Sequence, residues 1–404
     1  MISYKRNLLI LIVLITIVFS LVACSQSINK TSSDVTPIIV IPDDSNTETD
    51  NNITSQNEYT KLLDSSELFT SRDLNQEVEL ESAITYTVSD NTNIDIVKEG
   101  IYVITGTAQN VTINVEAGTE DKVQIVLDDL NLSNESKECI HIESADKVFV
   151  TTVSECSLVY TSLDSENSTG AIVSRDDIVL NGTGTLNITS DYNGIVGKDD
   201  VKITGGSYNI VSGKNCIRAN DSICIASGIL NLKAGSDGLH AENSDDDTKG
   251  YIYIKSCNLN IEATDDAIHA VSIVQIDGGD ITATAREGIE GTCIQINDGN
   301  VTLNAVDDGI NAARKSSTYT PTFEMNDGNL KINMSQGDTD GIDSNGDIVV
   351  KGGTIEVTGS STFDYDGNAV KNGGTIIVNG VEVDTIPNQM MGRGMQGGRG
   401  EIRR

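Results

Sequence analysis

An all-β solenoid, a right-handed parallel β-helix of about 21–23 residues per coil, is the fold class this sequence predicts. Three observations predict it. A short word recurs as SDGLHA (236–241), TDDAIHA (264–270), REGIEG (286–291), DDGINA (307–312) and TDGIDS (339–344), with fainter echoes at 138–142, 170–174, 192–197 and 215–219. Its small residue marks a register, namely Ala171, Gly194, Cys216, Gly238, Ala267, Gly288, Gly309 and Gly341, spaced by 23, 22, 22, 29, 21, 21 and 32 residues. Between words run alternating, mostly β-branched stretches around Gly-rich turns, as in VQIDGGDITATA (274–285) and IQINDGNVTLNA (294–305).

Taken in chain order, residues 1–24 read as an export segment. Lys5 and Arg6 precede an apolar run from Leu8 to Phe19, and Leu21-Val22-Ala23-Cys24 follows. The L-x-A-C ending resembles the bacterial lipoprotein box, which implies acylation of Cys24 and a membrane partner through an N-terminal lipid anchor. An ordinary signal peptide or an uncleaved anchor is the alternative. Either route leads out of the cytoplasm, and the lipoprotein reading places the protein on the extracellular face of a bacterial membrane. Residues 25–62, rich in Ser, Thr, Asn and Asp, are expected to be a flexible linker.

Residues 63–385 are expected to form the β-helix, with an N-terminal cap, and 386–404 a disordered Gly/Arg/Met-rich tail. The two longest spacings carry insertions, ENSDDDTKG (242–250) and ARKSSTYTPT (313–322). Leucine-rich repeats and calcium-binding nonapeptide rolls need frames this chain lacks. A β-sandwich does not account for the near-constant period.

Composition narrows the partners. A formal net charge of −33 argues against nucleic acid and for cations, or for polymers bridged by cations. The cysteines beyond Cys24 form no CxxC or zinc spacing. They read as buried thiols, with a disulfide between neighbouring coils as the lesser possibility.

Stacking turns word positions into columns. Ile195, Ile217, Leu239, Ile268, Ile289, Ile310 and Ile342 form an aliphatic ladder that belongs to the core. Just before the small residue stand Asn193, Asn215, Asp237, Asp266, Glu287, Asp308 and Asp340, with Asp265 and Asp307 adjoining. Carboxylates stacked at ~4.8 Å repel by about 1 kcal/mol per pair in water and about 3–4 kcal/mol at an effective dielectric near 20. Splaying into solvent is one way out. A bound cation is the other, and calcium, with oxygen ligands at about 2.3–2.6 Å, suits the donors. Asp237, Asp265, Asp266, Glu287, Asp307, Asp308 and Asp340 are therefore the candidate metal ligands, and calcium the expected cofactor.

A second column, expected on the outer surface, holds Val196, Arg218, His240, His269, Glu290, Asn311 and Asp343. From Arg218 onward these are candidate carbohydrate-binding residues, able to hydrogen-bond hydroxyls and carboxylates. Zinc through His240 and His269 has only two ligands. Adjacent acids could serve a glycosidase, but DD recurs too often along the chain for any one pair to stand out.

GIYVITGTAQNVTINVEAGTEDKVQIVLDDLNL (100–132), ADKVFVTT (145–152) and the D-G-I/L-x-A words together resemble a family of clostridial carbohydrate-binding β-helix lipoproteins. The resemblance covers roughly 68–380. It implies a fold like that of pectate lyases, calcium, and non-catalytic affinity for acidic polysaccharide and cellulose. Asn193 and Asn215 depart from the acidic pattern, which puts metal sites in those coils in doubt. Two other functions stay open. One is a calcium-dependent polysaccharide lyase with Arg218 or Arg286 as base; the other is a structural or adhesive surface protein. With no Trp and 4% aromatics, a flat aromatic platform is not expected, although Tyr192, Tyr208, Tyr251 and Tyr253 could stack singly on sugar.

Overall fold

β-Branched side chains alternating in short runs give the described residues strands and almost no helix, and every coil contributes strands to the same stacks. The computed structural model describes residues 60–161, 169–335 and 339–389. The export segment with Cys24, nearly all of the linker and most of the tail lie outside the described residues. The words form a twelve-stranded sheet from Ile94–Ile96 to Ser361–Tyr365. Within it Ile172, Ile195, Ile217, Leu239, Ile268, Ile289, Ile310, Ile342 and Phe363 are successive parallel partners. All nine are 0% exposed, so the register read from the small residue is the register of the sheet.

The remaining strands build a twenty-four-stranded sheet. It is two stacks, joined where Lys122–Asn134 pairs with both Lys147–Thr152 and Glu155–Tyr160. One coil thus runs through a word strand such as Asp266–Ala270, then Ile273–Ile276, a Gly-rich turn and Asp280–Ala285. These stacked parallel sheets are compatible with a β-helix or solenoid, and they form no closed barrel.

Close approach between coils explains the small-residue column. A Cβ on Gly309 would lie 2.5 Å from the carbonyl oxygen of Gly341 on the next coil and 2.4 Å from Ile332 Cγ2. Cys139, Cys156, Cys216, Cys224, Cys257 and Cys293 are all buried and free. Two tyrosines read as possible sugar platforms are not at the surface. Tyr208 packs into the core between the sheets, and Tyr253 lies buried beneath Phe69.

The segment before the first coil is a strap rather than a cap alone. Residues 60–76 run along one face of the larger sheet, against the direction of stacking. Gln295 Nε2 donates to the Thr60 carbonyl at 3.0 Å, and Leu63 N–H donates to Gln275 Oε1 at 2.6 Å. Phe69 caps Cys224 and Tyr253, and the Arg72 guanidinium sits 4.3 Å over the Phe149 ring. Asp73 is fully buried and bonded to Lys147 Nζ at 3.2 Å, with Lys202 Nζ at 3.8 Å. At the other end, Thr375–Val378 pairs antiparallel with Val381–Val383, and Gln389 N–H donates to the Phe363 carbonyl.

Candidate binding groove on the word sheet

The polar columns of the word sheet are held by two repeating hydrogen bonds. In the first, the side-chain oxygen of the column residue accepts the backbone N–H of its counterpart one coil on. Asn193 Oδ1 takes Asn215 N–H, Asn215 Oδ1 takes Asp237 N–H and Asp237 Oδ1 takes Asp266 N–H, each at 3.1 Å; Asp308 Oδ1 takes Asp340 N–H at 3.2 Å. In the second, this residue meets the side chain three positions later. Asp237 Oδ2 lies 2.7 Å from His240 Nδ1, and Asp266 Oδ2 lies 2.8 Å from His269 Nδ1.

The two imidazoles stack with centroids 4.7 Å apart and an interplanar angle of 10°. His240 Nε2 meets Glu242 Oε2 at 3.2 Å, and His269 Nδ1 also lies 2.8 Å from Glu290 Oε2. Lys315, from the second insertion, reaches Glu290 Oε1 at 2.8 Å. Glu290 was expected on the outer surface; this cover leaves it 5% exposed. The insertion is itself anchored, since Ser317 and Thr318 hydroxyls donate to the Asp247 carboxylate of the first insertion at 2.7 Å.

The acidic column neither splays outward nor stays bare in its middle coils. Asp237, Asp266 and Glu287 are 5%, 3% and 5% exposed. Arg286 lies among them, with Nε 2.5 Å from Asp265 Oδ1, one terminal nitrogen 2.7 Å from Asp307 Oδ2 and 2.5 Å from Glu287 Oε1, and the other 3.3 Å from Asp266 Oδ1. Considered from sequence as a lyase base, Arg286 is instead committed to four carboxylates. Asp237, Asp265 and Asp266 can still bring one oxygen each within 4.8 Å of the others, as can Asp199, Asp200 and Asp221 at the turn after the word.

Beyond Arg286 the pattern changes. Asp308 and Asp340 are register partners, as are Asn311, Asp343 and Asp364. Among the described residues no Lys, Arg or His forms an ion pair with Asp308, Asp340, Asp343, Asp364 or Asp366. Ser361 Oγ donates to Asp340, whereas Asp364 Oδ1 is buried with no hydrogen-bond partner.

Electrostatics follows this division. Burial, with Asp343, Glu287 and Asp307 nearby, pushes Asp308 up to about 7. Burial, with Asp364, Asp340 and Asp366 nearby, pushes Asp343 up to about 6. In the paired half, burial opposes the His269 imidazolium, but its bonds to Asp266 and Glu290 outweigh that and raise it to about 10. Burial likewise opposes the Glu290 carboxylate, yet bonds from His269 and Lys315 draw it down to about 2.

The word sheet therefore brings Asp237, Asp266, Glu287, Asp308 and Asp340 into one column and Arg218, His240, His269, Glu290, Asn311 and Asp343 into the adjoining one, with Asp265 and Asp307 at the edge. Reading the sequence missed Glu242, Lys315, Asp364 and the counter-ion role of Arg286. Asp364 was reachable by counting one more 21-residue coil from Asp343. The others come from insertions or from a position that is Asp, Ser, Thr, Tyr or Lys in other words, so no periodicity marked them.

The stacked parallel sheets are of a class compatible with a solenoid, and two adjoining polar columns run along the word sheet. The family described as carbohydrate-binding domain-containing protein matches residues 90–338 and 281–385, and the chain belongs to that family. A carbohydrate-binding domain-containing protein of Acetivibrio thermocellus is 43% identical over 197 residues, covering 46% of this chain and 69% of that protein. A solved structure described as the polysaccharide lyase-like protein from C. thermocellum, a gadolinium derivative, aligns with a TM-score of 0.47 at 27% identity, over 57% of this chain and 96% of that one.

Proposed function

We propose that this protein is a lipid-anchored, extracellular binder of acidic polysaccharide of the polygalacturonate type, dependent on calcium and without catalysis, built on a right-handed parallel β-helix. The observation that carries the reading is the run Asp308, Asp340, Asp343 and Asp364, four carboxylates on three successive coils with no cation of their own among the described residues. Calcium suits these donors in chemistry, since they are all oxygen and lie on neighbouring strands, and Asp364 Oδ1 has no hydrogen-bond partner. No three of them bring an oxygen each within 4.8 Å of the others, so an ion would sit between a pair of carboxylates and take its remaining ligands from the sugar and water. A bound calcium ion would bridge these carboxylates to carboxylates on the sugar. Asp265, Asp266, Glu287 and Asp307 fit less well, since Arg286 already holds them. Acylation at Cys24 would tether the solenoid to the outer face of the membrane.

The test is pulldown of the protein on polygalacturonate with calcium or with EDTA, following ultraviolet absorbance for unsaturated product. Calcium-dependent retention with flat absorbance is expected. No retention in either condition sinks the reading. A lyase is the second reading, favoured by the unpaired guanidinium of Arg218 as a candidate base, and rising absorbance that Arg218→Gln abolishes would establish it. Cellulose in the same assay tests a neutral ligand.

A further inference from the structure

The groove changes chemistry along its length. Reading along the outer column, the side chains are Arg218, His240, His269, Glu290, Asn311, Asp343 and Asp364, on seven successive coils. Each histidine has an acid three residues before it, Asp237 for His240 and Asp266 for His269. Arg218 has Asn215 in that place, and the Asn215 Oδ1 is spent on the Asp237 N–H. Arg218 Nε is buried without a hydrogen-bond partner, and among the described residues its guanidinium forms no ion pair. Glu242, held low chiefly by its bond to His240, also feels Arg218, but it spends its hydrogen bond on the histidine and not on the guanidinium. A guanidinium is preorganised to take a carboxylate in a two-pronged, charge-assisted bond, and an anionic ligand would satisfy the orphaned donor.

We propose that the groove contains two subsites of different kind: a metal-independent one, in which Arg218 beside His240 binds a uronate carboxylate directly, and the metal-dependent carboxylate run from Asp308 to Asp364. This rests on the reading of the groove as a binder of acidic polysaccharide, and it divides that site. Arg218 and Asp343 are five coils apart, about 24 Å at ~4.8 Å per coil. A polymer therefore spans both subsites, while a single uronate reaches only one. Binding by the polymer then has an EDTA-resistant part and a calcium-dependent part, each with its own residues.

Asn215→Asp is the sharpest test. It keeps the oxygen that accepts the Asp237 N–H and places a carboxylate where it can pair with Arg218, as Asp237 pairs with His240. Affinity for polygalacturonate is measured in EDTA and in calcium for the wild type, Asn215→Asp, Arg218→Gln and Asp343→Asn, alongside imidazole NMR shifts on titration with galacturonate or with sulfate. The expected result is an EDTA-resistant affinity that falls about tenfold, or roughly 1.4 kcal/mol, in both Asn215→Asp and Arg218→Gln. Asp343→Asn should lose only the calcium-dependent increment. Galacturonate should shift His240 in the wild type and not in Arg218→Gln; an equal shift with sulfate would replace the uronate by any oxyanion and overturn the carboxylate assignment. If polymer binds with calcium alone, the direct subsite falls and the calcium reading stands. If polymer never binds but galacturonate still shifts His240 through Arg218, the polysaccharide reading falls and the subsite stands. Absence of both signals overturns both.

Discussion

Asp237 Oδ1 accepts the backbone N–H of Asp266, one coil further along, at 3.1 Å. The same bond links Asn193 to Asn215 and Asn215 to Asp237. Where this bond forms, the column requires first a short side chain with an acceptor oxygen and only second a charge; the longer Glu287 stands outside the pattern. That is why Asn gives way to Asp along it without breaking the stack, and why the acids cannot be read as metal ligands from their recurrence alone.

Asn215→Ala should therefore destabilise the protein. It leaves the N–H of Asp237, a residue 5% exposed, without its acceptor, a loss of about 1–3 kcal/mol. Asn215→Asp should leave stability close to wild type. Denaturant unfolding of the three proteins, with hydrogen exchange at the Asp237 amide, checks this. Equal stability of the Ala and Asp variants would contradict it.

Arg286 is the shared counter-ion of four carboxylates in the middle coils. Arg286→Gln should leave Asp265, Asp266, Glu287 and Asp307 repelling one another, and calcium should restore what the mutation removes. Because the Arg286 side chain is 42% exposed, solvent screens much of the loss, and a fall in Tm of about 2–4 °C in EDTA is expected. The telling comparison is the gain in Tm on adding calcium, which should be larger in the variant than in the wild type. An equal gain in both would mean that calcium does not enter these coils even when they are vacated.

Much of this architecture was legible because a solenoid converts sequence period into spatial register. The step from Gly288 to Gly309 in the chain is the step from Ile289 to Ile310 in the sheet. The charged columns were legible for the same reason. What periodicity could not show is which charges cancel. Lys315 reaches Glu290 from an insertion, and Arg286 stands where neighbouring words have Asp265 and Asp307, so both depend on contacts that do not repeat. The strap was hidden too, since Asp73 meets Lys147 and Lys202 across a sequence distance that no local pattern encodes.

The pH dependence of stability should show two separable declines. Asp308 and Asp343 have folded-state pKa values of about 7 and about 6, raised above the ordinary 3.8. The folded state holds those protons more tightly, so their contribution is greatest at low pH and is lost as pH rises from about 4 to about 7. His269, raised from 6.5 to about 10, contributes stability that is complete below 6.5 and lost as pH rises through about 10. Tm measured against pH in EDTA should flatten between 4 and 7 in Asp343→Asn, and between 6.5 and 10 in His269→Gln. If Asp343→Asn left the lower decline unchanged, the open carboxylate run would not be its source.

Asp73 is the latch of the strap. It is fully buried, held by Lys147 and Lys202, and fixed in its own turn by reciprocal bonds with Thr70, whose N–H donates to Asp73 Oδ2 and whose Oγ1 accepts Asp73 N–H. Lys147 also pairs with Asp177 at 3.3 Å and Lys202 with Asp200 at 3.7 Å, so removing Asp73 leaves each lysine one carboxylate, and the cost stays below the about 3–5 kcal/mol of an uncompensated buried charge. Here the cost need not fall on the coils, whose ladders remain intact beneath. Asp73→Ala should therefore release residues 60–76 as a unit: rapid hydrogen exchange and proteolytic cleavage in the strap, new exposure of Cys224 to thiol reagents, and little change in exchange along the word sheet. Cys224 is the reporter because Phe69 covers it and it is 0% exposed in the docked state. If exchange instead quickens throughout the coils, the strap is part of the solenoid's cooperative unit and not a separately docked segment.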